Sequence, residues 1–429
     1  MISASIRTLR GLGYRHYVVS ILTLVFAVQY LNRSVPVILA QDIKAEFALT
    51  DAQLGLFTGF VFSIPYVLML FPAGMLVDRI SRRNILLTAL GVWSCLTAVT
   101  GFMHALGEIV AIRMCIAAAE GVNNPTSLSM IADLYDRKTR ATAVGFLFAG
   151  PAIGSVLGFP LVAFIAQLHG WRAGYVAAGL PGIFLALLMY MTVREPAREK
   201  TAADSDDKAP PFSETLRFLW TQRSCIHLMM GMMLTAIINS GNIAWMMPLL
   251  MRGHGISLAT ASIIVSLAFG LTNALGQMSG GAIADYLARR DIRWYTWLPA
   301  ISAVGNGVLM IAMALIPNAA AAIVAMALWG ISAGFQYGPV MGTLQSLVRP
   351  RMRGVASSCI NLLINLMGAG GGPYLVGVLS DKIPGWSGYA SIQLALAIVA
   401  VVQVWTLFHF LRSAHTLKRD LVRINPQLA

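Results

Sequence analysis

The sequence predicts an all-α membrane protein of twelve transmembrane helices in two pseudo-symmetric six-helix halves. Three observations carry this. Of the 429 residues, 57% are hydrophobic and only 11% charged, whereas a soluble domain carries about 25% charged residues. Charged or turn-rich breaks cut the chain into twelve apolar segments, each long enough to cross a bilayer as a helix of roughly 20 residues. Finally, motifs of the first half return in the second half in the same order.

The segments are 17–41, 53–77, 84–105, 107–132, 141–167, 172–193, 225–251, 258–284, 294–316, 319–347, 354–380 and 389–411. Strand spans would be about ten residues of alternating polarity, which is not the pattern here. The first segment follows a basic start, "MISASIRTLRGLGYRHY", as a secretory signal would. Its apolar run, Tyr17 to Leu39, outlasts a signal core of about 7–15 residues and is expected to remain as a span. Between the sixth and seventh segments lies 194–224, with six basic and six acidic residues and the pair Pro210–Pro211. Within it "FSETLRFLW" reads as a short amphipathic surface helix and the rest as a flexible cytoplasmic linker. The expected organisation is therefore 1–193, a linker at 194–224, and 225–429 with a basic cytoplasmic tail.

The net charge is +13. In a soluble protein that excess would point to nucleic acid; in a membrane protein it sets topology. Most of the 31 basic residues fall at the two ends, in 194–224, and in the loops after the second, fourth, eighth and tenth segments. The opposite side receives Lys44, Arg172, Arg252 and Lys382. This bias predicts a multi-pass protein of the plasma (inner) membrane with both termini cytoplasmic and no nucleic-acid partner. Cys95, Cys115, Cys225 and Cys359 lie in apolar runs without disulfide or metal spacing. No histidine spacing suggests a metal site, so neither metal nor cofactor is expected.

The repeat is specific. "GMLVDRISRRN" (74–84) returns as "GGAIADYLARRD" (280–291), Asp78 matching Asp285 at an offset of 207. "RATA" (140–143) matches "RGVA" (353–356) and "GFP" (158–160) matches "GGP" (371–373), both at an offset of 213. "GWRAGY" (170–175) matches "GWSGY" (385–389). Duplicated halves are a transporter architecture, with the substrate site near the midplane between them.

Three ionisable residues stand clearly within spans: Arg33, Arg113 and Glu120. Charges at bilayer depth are costly and mark function. Arg113 and Glu120 are seven apart, so they share one helix face two turns apart, and Arg33 lies about 24 Å along the first span from Tyr17. One reading is an ion pair that pins two helices. The other starts from the surplus of two cations over one anion: an anionic substrate group fills the surplus, and Glu120, ionised, competes for an arginine that it releases when protonated. The second half offers amides and hydroxyls instead: Asn239, Asn242, Asn273, Gln277, Gln336, Tyr337, Asn361 and Asn365. Several pairs are three or four apart, on one helix face each. They are either substrate contacts or interhelical hydrogen bonds worth about 0.6 kcal/mol each. Phe62, Tyr66, Trp245 and Phe269 are candidates to line a pocket or to face lipid.

Enzyme-like strings fail on context. "GISAG" (330–334) lies inside a predicted membrane helix, not at the strand-to-helix elbow that G-x-S-x-G requires. "GAGGGP" (368–373) lacks the spacing and lysine of a phosphate loop and reads as a packing and bending site.

The loop "GMLVDRISRRN" and the duplicated halves resemble the major facilitator superfamily over the whole chain. "DAQLGLFTGFVFSIPY", "MPLLMRGHGIS", "GGAIADYLARRDIRWYTWLPA" and "SLVRPRMRGVASS" resemble its spinster-like branch, which is similar in turn to the anion:cation symporters. The resemblance implies alternating access and a gate in the duplicated loops. There Gly74 permits close helix approach, Asp78 ties a neighbouring helix end, and Arg82 and Arg83 hold the cytoplasmic side shut, with Asp285 and Arg289 as second-half counterparts. "GPAIGSVLGFP" (150–160) resembles an antiporter motif and reads otherwise as small-residue packing. The fold implied places Asn239, Asn242 and Asn361 toward a central cavity. In the branch the first span carries Asp-Arg and the fourth an arginine and a glutamate, implicated in proton coupling and substrate binding. Arg33, Arg113 and Glu120 match; Asn32 stands where the aspartate is usual and cannot ionise.

The expected function is secondary active transport of an amphiphilic or organic anion by a monomer, with the proton as coupling ion through Glu120. The branch is linked to lysolipids. Alternatives are a lipid or drug exporter, an uncoupled facilitator, or a non-transporting sensor or scaffold. An enzyme is not expected.

Overall fold

The computed structural model describes residues 2–136, 139–196, 212–386 and 388–424. Within them the fold is helical, and the β pairing is one isolated bridge between Trp386 and Tyr389. The first predicted segment is α1 (Ile2–Ile38), followed by short α2 (Ala40–Glu46). The second is α3 (Asp51–Thr58) with α4 (Phe60–Arg79), and the third is α5 (Arg82–Thr100). The fourth is α6 (Leu106–Glu120) and α7 (Asn123–Leu134). The fifth runs through α8 (Arg140–Leu147), α9 (Gly150–Ile153), a π-helical stretch Gly154–Gly158 and α10 (Phe159–His169); the sixth is α11 (Trp171–Thr192). After α12 (Phe212–Thr221) come α13 (Arg223–His254), then α14 (Leu258–Ile264) with π-helical Val265–Leu271 and α15 (Thr272–Ala288). The ninth and tenth spans are α16 (Trp294–Leu315) and α17 (Ala319–Ser346). The eleventh joins α18 (Arg353–Leu363), π-helical Ile364–Gly371 and α19 (Gly372–Lys382); the twelfth joins α20 (Ser391–Val401) and α21 (Gln403–Ile424).

Eleven of the described helices are long and apolar enough to cross a membrane. The remaining crossing, the fourth, predicted at 107–132, is present in two pieces because the helix breaks at Gly121–Val122. Pro125 causes the break: it has no N–H to offer the Gly121 carbonyl four residues back, and its ring would clash there. Gly121 is also where the second span presses in, since a Cβ there would lie 2.9 Å from the Met69 Cβ and 3.0 Å from the Tyr66 carbonyl. The π-helical stretches of the fifth and eleventh spans end beside the matched prolines, Pro160 and Pro373, which break the ordinary helical hydrogen-bond register in the same way. "GISAG" lies within α17.

Large apolar side chains such as Leu68, Met75, Leu157, Phe184, Met278 and Trp405 are exposed. That is the surface expected of a protein solvated by lipid. The last helix runs beyond the predicted span: Arg412 to Arg423 continue α21 as an amphipathic helix rather than forming a separate tail. Leu417, Asp420 and Leu421 are buried on its inner face, and the Asp420 carboxylate accepts the Ser224 N–H at 2.9 Å.

By packing, the chain divides into two units, Met1–Phe47 with Val61–Asp204 and Leu258–Ile263, and Ala48–Phe60 with Ser205–Ser257 and Ile264–Ala429. In the first unit α1 lies directly on the fifth span, and a Cβ at Gly154 would collide with the Ala27 carbonyl. In the second unit α13 meets the eleventh span at Gly368 against Ala236. The small-residue strings "GPAIGSVLGFP" and "GAGGGP" therefore serve close helix packing. The second unit also holds α3, the start of the second span, because Gly55 and Gly377 let α3 and α19 touch backbone to backbone at the Pro373 and Asp51 carbonyls.

Candidate functional site

In the first unit, α1, α4 and α6 bring charge and aromatic surface together. The Arg33 guanidinium carbon lies 4.7 Å from the centre of the Phe62 ring and 5.3 Å from that of Tyr66. Arg113 reaches the same Phe62 ring at 5.1 Å. Phe62 and Tyr66 stack on each other, one turn apart on α4, with centroids 5.7 Å apart. Each guanidinium–ring contact stabilises by about 0.5–2 kcal/mol, more as water is excluded. Phe62 is thus a neutral bridge between two like charges.

Glu120, the last residue of α6, is fully buried, and both its carboxylate oxygens lack a hydrogen-bond partner. Arg33 and Arg113 both act on it electrostatically. Asn32 is buried with neither amide atom partnered. Buried polar groups in this condition are rare and expensive. The structure therefore brings Arg33, Asn32, Arg113 and Glu120 into one neighbourhood and adds residues the sequence did not single out. Tyr30 stands by Arg33 and Tyr175 by Arg113. Gln29 donates from Nε2 to the Glu120 backbone carbonyl at 3.1 Å. Gln29 Oε1 accepts from Asn123 Nδ2 at 2.5 Å, and Asn123 Oδ1 accepts from the Ser127 hydroxyl at 3.0 Å.

The amides of the second unit are more dispersed. Asn242 is buried, donates to the Ile238 carbonyl at 3.1 Å and leaves its Oδ1 unpartnered; Asn239 also has an unpartnered buried Oδ1. Asn365 donates to the Asn361 carbonyl at 2.9 Å, a bond within its own helix. Tyr337 is 43% exposed. Trp245 is buried and donates to the Pro373 carbonyl at 3.0 Å, and Phe269 packs on Trp329.

The residues that the resemblance assigns to a gate make these contacts in this structure. Arg82 is buried, pairs with Asp133, and donates to Glu195 at 3.0 Å and to the Pro196 carbonyl at 3.0 Å. Arg83 donates to the carbonyls of Val193 and Tyr190 at 2.5 and 2.6 Å. These partners all lie in the first unit, so both arginines tie the start of α5 to α7 and to the end of α11. Partial burial opposes it, but donors from Ser81, Arg83 and Arg82 hold the Glu195 carboxyl below its ordinary range. Among the described residues nothing lies within 4 Å of a Cβ placed on Gly74. The Asp78 side chain lies outside the described residues. Asp285 accepts from the Tyr295 hydroxyl at 2.8 Å and lines a cavity of about 300 Å³ with Gly281, Gly338 and Gly342. Arg289 caps α15 and is exposed.

Two further ion pairs close the other ends of the spans. Asp51, buried at the start of α3, accepts two bonds from Arg252 at 2.8 and 2.9 Å and one from the Ser380 hydroxyl at 2.7 Å. In return the Asp381 carboxylate accepts the N–H groups of Asp51 and Ala52 at 2.9 and 2.7 Å, capping α3 from another helix. In the first unit Glu46 accepts both Arg172 nitrogens, at 2.6 and 2.7 Å, and the Trp171 indole at 2.7 Å. The Arg172 hydrogen bonds hold the Glu46 carboxyl down to about 2.

An all-helical, repeat-built membrane fold with a charge cluster buried in one half defines the class of polytopic carriers. The Major Facilitator Superfamily model matches residues 22–372, and the chain belongs to that superfamily. It is 26% identical over 420 residues to an MFS-type efflux pump of Mycolicibacterium smegmatis, covering 94% of each chain. It is 24% identical over 398 residues to a hexuronate transporter of Bacillus subtilis, covering 90% of this chain and 93% of that one. Among solved structures it superposes with a TM-score of 0.83 at 26% identity on a bacterial homolog of the human lysosomal transporter spinster, in an inward-facing and unoccupied conformation. That match covers 95% of this chain and 98% of the other. The protein is a secondary transporter, not an enzyme.

Proposed function

We propose that the substrate is an organic or amphiphilic anion and that Glu120 couples its movement to a proton. The observation that carries this reading is the pair Arg33 and Arg113 on one Phe62 ring beside the unpartnered, buried Glu120 carboxylate. An anionic headgroup meets the two guanidiniums, which suit carboxylate and phosphate geometry. Glu120 ionised neutralises one of them in the empty carrier; Glu120 protonated leaves both to the substrate. Because Asn32 cannot ionise, one carboxylate does the coupling and the cycle moves one proton. Similarity to the hexuronate transporter supports an acidic substrate.

On this reading Asn239, Asn242, Asn361, Asn365 and Tyr337 hold the body of the substrate. Gly74, Asp78, Asp285 and Arg289, with Arg82 and Arg83, belong to the gate on the side of the basic loops. That side is the cytoplasmic one, and the carrier works as a monomer in the plasma membrane. Similarity to an efflux pump favours export as the second reading of direction.

A thermal-shift screen of organic anions and lysolipids at two pH values tests the substrate class. The expected result is stabilisation by anions, stronger at the lower pH and lost in Arg33→Ala. Stabilisation by neutral or cationic amphiphiles alone would exclude it.

A further inference from the structure

One side chain of the first span bridges the break in the fourth span. α6 ends at Glu120, so the Glu120 carbonyl is one of the helix-end groups left without an intrahelical donor. Gln29 Nε2 supplies that donor at 3.1 Å. The other half of the same amide, Oε1, accepts at 2.5 Å from Asn123, the first residue of α7. One amide therefore grips the last residue before the break and the first residue after it. Asn123 is locked in turn by Ser127 at 3.0 Å, one turn into α7. Gln29 stands three and four residues before Asn32 and Arg33, on the same face of α1. The Gln29 amide also reaches toward the Glu120 carboxylate, but short of a hydrogen bond.

We propose that Gln29 is a positioning residue: it staples the hinge between α6 and α7 and thereby fixes where the Glu120 carboxylate stands relative to Arg33 and Arg113. This rests on the reading of Glu120 as the proton-coupling group. The hinge has the parts a bend needs. Pro125 removes a backbone donor, and Gly121 admits the Tyr66 backbone. Glu120 sits at the pivot, so loosening the break moves the end of α6, and with it the carboxylate, against Arg33 on α1. The charged and titratable groups around it are Tyr30 and Arg33 from α1, Tyr66 from α4, Arg113 from α6 and Tyr175 from α11. Of the hydrogen bonds across the break, those of Gln29 and Asn123 are made by neutral amides, which keep their strength at any pH. A proton on Glu120 therefore changes the pull of the arginines on the carboxylate while the staple stays constant, and the hinge angle follows.

Hydrogen–deuterium exchange of the peptide spanning the break, read across pH on the full chain in detergent, tests this without any substrate. In the wild type the protection factor at the break, which is exchange corrected for the intrinsic base-catalysed rate, changes with pH, and in Glu120→Gln that pH dependence disappears. Gln29→Met, which keeps the length of the side chain and loses both bonds, is expected to raise exchange at the break about fivefold or more. It should also shift the pH midpoint by about half a unit or more. In the Gln29→Met/Glu120→Gln double variant the protection factor stays lowered and pH-independent. Should Gln29→Met fail to give a monodisperse protein, Asn123→Ala removes the other end of the staple and is expected to move the same two readouts. A Gln29→Met protein with wild-type exchange and midpoint would overturn the proposal. So would raised exchange with an unmoved midpoint, which is what a merely structural bond gives. A wild-type pH dependence that survives in Glu120→Gln would instead overturn the proton-coupling reading.

Discussion

Arg33 and Arg113, on two different helices, place their guanidinium carbons 4.7 and 5.1 Å from the centre of one ring, that of Phe62. The ring gives the two cations a shared apolar face, and the buried Glu120 carboxylate acts on both. Phe62→Leu keeps the apolar volume but loses both contacts, together worth about 1–4 kcal/mol. The expected result is anion binding weakened roughly tenfold, with Phe62→Tyr close to wild type, measured by calorimetric titration. Equal affinity in Phe62→Leu would show that the ring is filler.

Arg33 and lysine are not interchangeable at such a site. A planar guanidinium stacks and forks, whereas an ammonium does neither as well. Arg33→Ala is expected to abolish binding of an anion, and Arg33→Lys to keep the charge with affinity about tenfold lower. Unchanged affinity in Arg33→Ala would remove Arg33 from the site.

The outer network around Asp51 makes a stability prediction. Removing one partner of a buried ion pair costs about 3–5 kcal/mol. Asp51→Ala strands Arg252 and the Ser380 hydroxyl, but Arg252 is 24% exposed, so the expected loss is at the lower end, about 3 kcal/mol. Asp381→Ala removes only a helix cap and is expected to cost about 1 kcal/mol. Thermal unfolding in detergent ranks the two, and the reverse order would contradict the geometry.

Glu46 gives a pH prediction whose sign is fixed. Its carboxyl is held down to about 2 by Arg172, below an ordinary value of 4.5. The pair therefore contributes stability that is full above pH 4.5 and is lost as pH falls toward 2. Glu46 is partly exposed, so the contribution is screened and modest. Glu46→Gln should flatten that limb of the melting-temperature profile and leave the neutral side nearly unchanged.

What the sequence made legible follows from how each feature is encoded. Spans are written in length and apolarity, so twelve crossings could be placed, but 107–132 read as one continuous span and its break at Gly121–Val122 before Pro125 was not seen. Arg33, Arg113 and Glu120 stood out because charge is rare in apolar runs. Phe62 was one aromatic among many, and Gln29 one amide among many. Their roles depend on the rotation of one helix against another, which no single-chain pattern encodes. The bond between Asp51 and Arg252 joins residues 201 positions apart, and each alone looked like an ordinary span end. The basic stretch after Arg412 read as a tail because its charge hid the spacing of Leu417 and Leu421, which hold it to the core.

The central claim is that Glu120 couples a proton to an anion held by the two arginines. The direct measurement is uptake into proteoliposomes of an anion that stabilises the protein, with and without an imposed pH gradient, comparing wild type with Glu120→Gln. The account predicts that the wild type concentrates the anion against its gradient when the pH gradient is present. It predicts that Glu120→Gln still exchanges anion in counterflow but no longer concentrates it. A Glu120→Gln protein that concentrates the anion in response to the pH gradient would contradict it.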